Sequence, residues 1–396
     1  MQKQTTALIQ KSFILMGAFL FLSLLSAQKS FGELAITADD MKIKFGVLMQ
    51  GQIDETYEDG GYVQNVFLRR MRLLVGGQIA PNVTFFYESD NPNLGKETAS
   101  SALNAANAGQ KNLPSSGLNT LDAVLTWKAI EPINIDMGLI LVPLCRNCLQ
   151  SAAMLLPLDY GANSFNESTA IGADIGRDTG VQLRSYLIND KLEIRAGMFQ
   201  GTRADLNVPT TGANSANSPF RYTVRAQYDF LDAEKGLFYT GTYLGTKRVA
   251  AVGASFDNQG DYKADAVDAF VDLPVGGNLA VTLQGDLLHY IPGQMAPTSP
   301  TYAGLASTTF VHQVDYMVEA GILQTDWHVM PFLQYQDEQR CADRNYSGSD
   351  SRKFVYGIAY YMSGYNANLK IAGATISDDQ FGYASEATIQ LQGFYF

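Results

Sequence analysis

The feature that most constrains the fold is a two-residue alternation of apolar and polar side chains. Over residues 220–230, apolar side chains at the even positions alternate with polar ones that include Arg221 and Arg225. Successive side chains of a β-strand point to opposite faces, and a strand that crosses a bilayer at a tilt needs about 9–11 residues. The alternation therefore predicts long strands that have one apolar face and one polar face.

The same pattern begins near the start of the chain, where Ile43, Phe45 and Val47 share a face opposite Lys42 and Lys44. Only 17% of the residues are charged, which is below the usual quarter. After the N-terminal region, no 18 consecutive residues are apolar. Because only helices and closed barrels satisfy every backbone group in lipid, a membrane form of this chain must be a closed β-barrel.

Connections of two lengths separate the alternating stretches. Long polar stretches cover residues 91–119, 142–178, 202–219 and 291–310, and short turns lie between them. Outer-membrane barrels have long loops at one rim, short turns at the other, and an even number of strands. A first count gives 17 strands. Residues 237–244 alternate only weakly, and we assign them, with the rest of 231–247, to a connection at the short-turn rim. About 16 strands then remain, which predicts an all-β, antiparallel barrel.

The N-terminus has the features of an export signal. Lys3 and Lys11 form a positive region, and the apolar run Phe13–Leu25 follows. Small residues then permit cleavage after Ala27 or Gly32, and Gly32 is preferred here. Residues 1–32 contain three lysines and no acidic residue, so the net charge of −11 becomes −14 for residues 33–396. This balance disfavours nucleic acid as a partner, because phosphate backbones require a basic surface.

The last ten residues, Ala387–Phe396, alternate like a strand and end on an aromatic residue. We predict that they form the closing strand and pair with residues 42–53. Phe394 and Phe396 share parity with the polar Gln390 rather than with the apolar face. A β-bulge at Gly393 would reset this register.

The chain resembles the phosphate-selective porin O and P family. The resemblance is carried by residues 67–90, 177–201 and 267–290 and by the ending "EATIQLQGFYF". It implies a Gram-negative outer-membrane channel that is a homotrimer of 16-stranded barrels. It also implies that the third extracellular loop folds inward as a constriction, and that the terminal Phe396 is the signal read by the barrel assembly machinery.

In a porin, rings of Arg and Lys select anions, whereas Asp and Glu select cations. The alternation directs eight cationic side chains toward the lumen: Lys44, Arg70, Arg72, Lys128, Arg184, Arg195, Arg221 and Arg225. One interpretation is a ladder of guanidinium groups that passes anions by bidentate hydrogen bonds. The other is that these residues are ordinary lumen charges paired with Asp122, Asp136, Glu193 and Asp229.

The candidate constriction loop is Val142–Asp178. Its charged residues include Arg146, Asp159, Glu167 and Asp174, and it contains no lysine. A loop without lysine indicates weak rather than tight phosphate binding.

Cys145 and Cys148 lie three residues apart in this loop. In an oxidising periplasm they would form a local disulfide. A redox-active pair lacks the thioredoxin-like βαβ context, and a zinc site lacks a second pair of ligands. Cys341 is predicted to lie in another extracellular loop, without a partner nearby in sequence.

Two other functions compete with a channel that passes phosphate or other small anions. A hydrolase needs a nucleophile with a base, and His289 and His312 flank one long loop and could approach each other. No G-x-S-x-G, H-E-x-x-H or P-loop motif is present, and the sequence predicts no enzyme activity, metal or cofactor. The remaining alternative is a barrel sleeve or adhesin with a plugged lumen.

Overall fold

The structure is a computed structural model. It describes residues 35–38, 41–58, 61–96, 118–161, 164–165, 175–201, 219–291, 312–340, 350–379 and 382–396. The predicted signal peptide, Glu167, Asp174 and Cys341 lie outside the described residues. No helix in the described ranges is long and apolar enough to cross a membrane.

One short strand and sixteen longer strands form the fold. They are β1 (Ala35–Ala38), β2 (Met41–Glu58), β3 (Gly61–Ala80), β4 (Val83–Asp90), β5 (Asn119–Ile130), β6 (Ile133–Leu141), β7 (Arg177–Leu187), β8 (Leu192–Phe199), β9 (Arg221–Asp229), β10 (Val249–Gln259), β11 (Tyr262–Gly276), β12 (Leu279–Ile291), β13 (Gln313–Gln324), β14 (Val329–Arg340), β15 (Asp350–Tyr365), β16 (Ala367–Asp378) and β17 (Gly382–Tyr395).

Strands β2 to β17 form a closed antiparallel barrel. Each strand pairs with the next, and β17 pairs with β2 from Ala384–Glu58 to Tyr395–Val47. The predicted closure by the last strand and the predicted count of about 16 strands are confirmed. β1 pairs with the first residues of β2, from Ala35–Lys44 to Ala38–Met41. The pairing of β17 with β2 ends at Val47, so β1 pairs with the stretch of the same β2 edge that β17 does not cover.

The connections also follow the predicted arrangement. Four long connections, 91–118, 142–176, 200–220 and 292–312, all leave from one rim, which we call the loop rim. At the opposite rim, the turn rim, the connections have one to four residues, except 230–248. The sequence assigned this exception correctly, because counting 237–244 as a strand would have moved every later loop to the wrong rim.

The outer face of the barrel carries an apolar belt. Strand β9 alternates strictly between buried and exposed positions, with Arg221 and Arg225 buried and Tyr222 and Val224 exposed. Similar exposed aliphatic and aromatic side chains occur on the other long strands. An apolar surface this large is rare on soluble proteins and matches the lipid-facing band of outer-membrane barrels.

The predicted bulge at Gly393 is wrong. Pairing of β17 with β2 continues without a register shift through Gly393–Met49 and Phe394–Leu48. Phe394 consequently stays on the lumen face, where it packs against a cluster that contains Leu48, Leu74 and Ala152. Because Ala152 belongs to a loop inside the barrel, an apolar side chain on the lumen face is covered there, and no register change is needed.

Candidate functional site: two loops inside the barrel

The first part of the connection between β6 and β7 folds into the barrel, as predicted. We call residues 142–161, the longest described part of this connection, the constriction loop. Leu144, Arg146, Leu149 and Leu156 are all fully buried. An isolated loop of 20 residues could not bury so many side chains, so the barrel wall provides their contacts.

The first part of the constriction loop packs on β11 and β12. Cys145 and Cys148 form a disulfide with a Cα–Cα distance of 4.9 Å, and both pack in a cluster with Tyr262 and Tyr290. The backbone N–H of Asn147 donates to a carboxylate oxygen of Asp286 at 3.1 Å. The wall thus satisfies a backbone donor that would otherwise be buried without a partner.

The middle of the loop is held by two glutamines of the closing strand pair. Gln50 on β2 donates from Nε2 to the carbonyl of Ala152 at 3.2 Å. Gln392 on β17 donates from Nε2 to the carbonyl of Ala153 at 2.9 Å. The loop therefore contacts both β11–β12 and β17–β2, and it spans the lumen between these walls.

The loop tip is anchored by Lys370, a residue that the sequence analysis did not select. Its Nζ, on the lumen face of β16, donates to the carbonyls of Leu155 at 2.6 Å, Pro157 at 2.7 Å and Leu156 at 3.3 Å. The side chain of Leu156 packs among apolar residues of the wall, including Met330. The alternation of β16 shows that Lys370 faces the lumen, but only the folded loop brings three carbonyls to it.

Replacing Lys370 by Met should release the loop tip. The variant keeps a long unbranched side chain but leaves three buried carbonyls without their donor, and a typical hydrogen bond contributes about 0.5–1.5 kcal/mol. We expect a lower temperature for the heat-induced shift in gel mobility and larger current fluctuations in single channels. Lys353→Met is the control, because Lys353 forms a partly exposed pair with Glu386 at 3.0 Å. Equal behaviour of the two variants would contradict the anchoring role.

Asp159 connects the constriction loop to β3. Its carboxylate forms an ion pair with Arg69 at 2.6 Å and a second one with Arg70. Burial alone would raise the pKa of Asp159, but the charges of Arg69 and Arg70 outweigh this effect and lower the pKa well below its usual range. The pair therefore remains ionised throughout the neutral and mildly acidic range.

This lowered pKa predicts a specific pH dependence. A group whose pKa is depressed by folding stabilises the folded state above its unfolded pKa, which for Asp is about 3.9, and loses that contribution as the pH falls toward the folded value. We expect the ion pairs of Asp159 with Arg69 and Arg70 to stay intact in the wild type from pH 8 to about pH 5. Asp159→Asn should show a changed conductance already at pH 7. Identical wild-type and variant conductances at pH 7 would contradict the tether.

The connection at the turn rim, residues 230–248, also enters the barrel, and we call it the inner turn loop. Tyr239 is buried, and its backbone N–H donates to the carbonyl of Leu149 at 2.8 Å. Ser151 donates in turn to the carbonyl of Tyr239 at 3.0 Å, and Gly241 to that of Met154 at 3.0 Å. The two loops, from opposite rims, are thus hydrogen-bonded to each other by their backbones inside the lumen.

An ion pair strengthens this contact. Nη2 of Arg146 lies 2.7 Å from a carboxylate oxygen of Glu234 and donates to the carbonyl of Thr240 at 2.9 Å. The guanidinium carbon also lies 3.5 Å from the ring centre of Phe270. The phenol of Tyr239 contacts the carboxylate of Glu193, and burial together with that negative charge raises the pKa of Tyr239, so the phenol stays protonated as a donor.

The six predicted lumen arginines are all buried and all ion-paired. The pairs are Arg70 with Asp159, Arg72 with Asp90 and Glu88, Arg184 with Asp136, Arg195 with Glu193, Arg221 with Asp257, and Arg225 with Asp268. Asp136 and Glu193 are among the acids that the sequence analysis named as partners. Asp122 instead pairs with Arg177 at 2.9 Å, and Asp229 accepts from the backbone N–H of Glu234 at 2.8 Å.

The two predicted lumen lysines lie apart from these arginines. Lys44 is half-buried near the start of β2, and Lys128 is exposed at the end of β5, where it pairs with Glu131. Both are close to the turn rim. The structure therefore does not bring Lys44 and Lys128 together with the buried arginine pairs.

A cavity of about 350 Å³ lies on the loop-rim side of the constriction loop. Charged groups of both signs line it, and they are Arg69, Lys96, Lys353, Asp54, Asp159 and Glu386. Nζ of Lys96 lies 2.7 Å from a carboxylate oxygen of Asp54. Because the cations of this cavity are paired with acidic side chains, its wall is polar but carries little net charge.

The two histidines that flank the long loop do approach each other. Nε2 of His289 lies 3.0 Å from Nε2 of His312. His289 is at an outward-facing position of β12, so the pair is separate from the lumen.

Comparison with known proteins places the fold. No protein-family model and no curated protein matches the sequence. Solved structures do match: an anion-selective porin from Comamonas acidovorans (10% identity, 90% of this chain and 100% of that chain, TM-score 0.56) and Salmonella typhi OmpF in complex with daunomycin (14%, 91% and 100%, 0.58). The outer membrane channel DcaP of Acinetobacter baumannii is also similar (12%, 91% and 99%, 0.55).

These likenesses establish the fold: the chain is a closed 16-stranded antiparallel barrel that resembles the outer-membrane porins of Gram-negative bacteria. At identities of 10–14%, these similarities do not identify a solute that this chain transports. The predicted membership of the phosphate-selective porin family stays a prediction.

Proposed function

We propose that this protein is an outer-membrane channel for the passive diffusion of small hydrophilic solutes. The observation that carries the proposal is the combination of an apolar outer belt with a closed barrel whose interior is lined by charged and polar side chains. Such an interior suits water and ions rather than lipid. The constriction loop and the inner turn loop narrow the lumen and set the size limit for solutes.

Within this function we propose a modest preference for anions. Buried arginine pairs line the wall, and several of their N–H groups, including Nε of Arg70, Nη2 of Arg72 and Nε of Arg225, lack a hydrogen-bond partner among the described residues. Because these N–H groups are buried, they act on a passing anion through the electric field of the guanidinium charge rather than through direct contact. The preference is modest because each guanidinium charge is compensated by a carboxylate.

Tight binding of phosphate or polyphosphate has less support than a modest preference for anions. A strongly phosphate-selective constriction needs several cations that are not neutralised. In the described part of the constriction loop, Arg146 is the only cationic side chain, and it is paired with Glu234. We therefore propose that phosphate passes as one of several small anions and binds weakly.

We also propose export by the signal at residues 1–32, assembly by the barrel assembly machinery through a C-terminal signal that includes Phe396, and a homotrimer in the membrane. The resemblance to the phosphate-selective porin family, which implies a homotrimer, supports the last point. A role as a channel rather than an enzyme is supported by two of the similar structures, which are a porin and a channel by name.

A liposome swelling assay tests the proposed function. Vesicles that contain the purified protein should swell in isotonic solutions of small neutral sugars, at rates that fall as the sugar becomes larger. The control is the same preparation heated until its gel mobility shifts. Vesicles that swell no faster than those with heated protein would favour a plugged sleeve over a diffusion channel.

A further inference from the structure

A second polar site lies on the outside of the barrel, near the loop rim. His289 is two residues before the end of β12, and His312 immediately precedes β13. The pairing of β12 with β13 places Gln313 opposite Tyr290 and Val314 opposite His289. The two imidazole rings therefore meet where the strands begin to pair, with ring centres 5.2 Å apart.

The neighbouring strand fixes the orientation of one ring. Asp265 lies opposite His289 on β11, and its carboxylate oxygen is 3.4 Å from Nδ1 of His289. A carboxylate at Nδ1 keeps the proton on that nitrogen and leaves the lone pair on Nε2. Carboxylates hold metal-binding histidines in the same way, from outside the first coordination shell.

We propose that His289 and His312 bind one zinc or copper ion through their Nε2 atoms. With metal–histidine bonds of about 2.0–2.1 Å, two such nitrogens are about 2.9 Å apart at the 90° angle of a tetragonal copper(II) site and about 3.3 Å apart at the tetrahedral angle of zinc. The observed distance between the two nitrogens is 3.0 Å. Imidazole nitrogens favour copper and zinc over magnesium and calcium.

Water would complete the coordination. No cluster of three or more His, Cys, Asp or Glu side chains suited to a metal occurs in the part of the chain that the structure describes. The side chain of His289 is 33% exposed on the outer face of the barrel, near the loop rim, so a metal ion can approach it from the aqueous side.

The test uses mature protein without a histidine tag, in detergent, titrated with copper(II) or zinc(II) chloride. We expect one ion per chain, and a copper electron paramagnetic resonance spectrum with coupling to two imidazole nitrogens. His289→Ala and His312→Ala should each weaken binding at least tenfold and remove one coupled nitrogen. Asp265→Asn should weaken binding about 10- to 100-fold, while the spectrum keeps both nitrogens.

The control is His328→Asn. His328 lies at the turn rim with a backbone φ of 57°, and Asn tolerates this left-handed conformation. This variant should bind copper and zinc like the wild type. The proposal is overturned if the His289→Ala/His312→Ala double variant binds as tightly as the wild type, or if His328→Asn alone removes binding. Neither result bears on the channel, because the pair faces away from the lumen.

Discussion

Shortening the inner turn loop is expected to raise the single-channel conductance several-fold. Strands β9 and β10 continue to pair beyond their ends, since Phe230 donates to the carbonyl of Ala250 and Asp232 to that of Arg248, both at 2.8 Å. A tight Asn-Gly turn in place of residues 233–247 can therefore close the hairpin. This change removes Tyr239 and Glu234 from the lumen and leaves Arg146 without its buried partner.

Two further variants make the interpretation specific. Gly241→Leu keeps the loop length, but a side chain at this position would lie 2.7 Å from the carbonyl oxygen of Met154, so the two loops must separate. Lys235→Ala is the control, because Lys235 forms an exposed ion pair with Asp190. We expect increased conductance from the shortened loop, a smaller increase from Gly241→Leu and no change from Lys235→Ala. Wild-type conductance in all three would show that the inner turn loop does not limit the pore.

Replacing Arg70 and Arg72 together by Ala is expected to lower the ratio of chloride to potassium permeability. The double variant leaves Asp90 and Glu88 without their main compensating charge and leaves Asp159 paired with Arg69 alone. Two unit charges 4 Å apart interact by about 4 kcal/mol at an effective dielectric constant near 20, whereas about 1.4 kcal/mol changes an equilibrium tenfold. The uncompensated carboxylates should therefore favour cations in the lumen.

A charge-balanced variant separates selectivity from stability. Breaking a buried ion pair by removing one partner costs about 3–5 kcal/mol, so the Arg70/Arg72 variant should also unfold more easily. Arg72→Met combined with Glu88→Gln removes one charge of each sign and should leave the permeability ratio near that of the wild type. If this variant and the Arg70/Arg72 variant change the ratio equally, lost packing rather than charge explains the effect. Arg221→Ala with Arg225→Ala tests the opposite wall in the same way.

Local rules predicted the barrel itself. In β9 the alternation of Arg221 and Arg225 with Tyr222 and Val224 defines both faces, because strand geometry alone decides which side chains share a face. The lengths of the connections then defined the two rims. The weak apolar stretch around Tyr239 could be removed from the strand count because barrel closure requires an even number.

The interior was only partly predictable, because its contacts join distant segments. Lys370 meets carbonyls 213–215 residues earlier in the chain, and Arg146 meets Glu234 88 residues later. A two-residue alternation along the chain contains no information about contacts between segments so far apart. Phe394 shows the same limit. From the sequence, an apolar side chain on the lumen face suggested a bulge, but residues of the constriction loop cover it in the folded barrel.

The proposed channel function requires an open, water-filled path between the two loops and the wall of the barrel. The most direct test is the reversal potential of single channels in a planar bilayer under a gradient of potassium chloride. We expect stable ohmic conductance and a reversal potential displaced modestly toward the chloride equilibrium value. This displacement should become smaller when phosphate competes with chloride. An absence of conductance in correctly folded protein, or a reversal potential near the potassium equilibrium value, would contradict it.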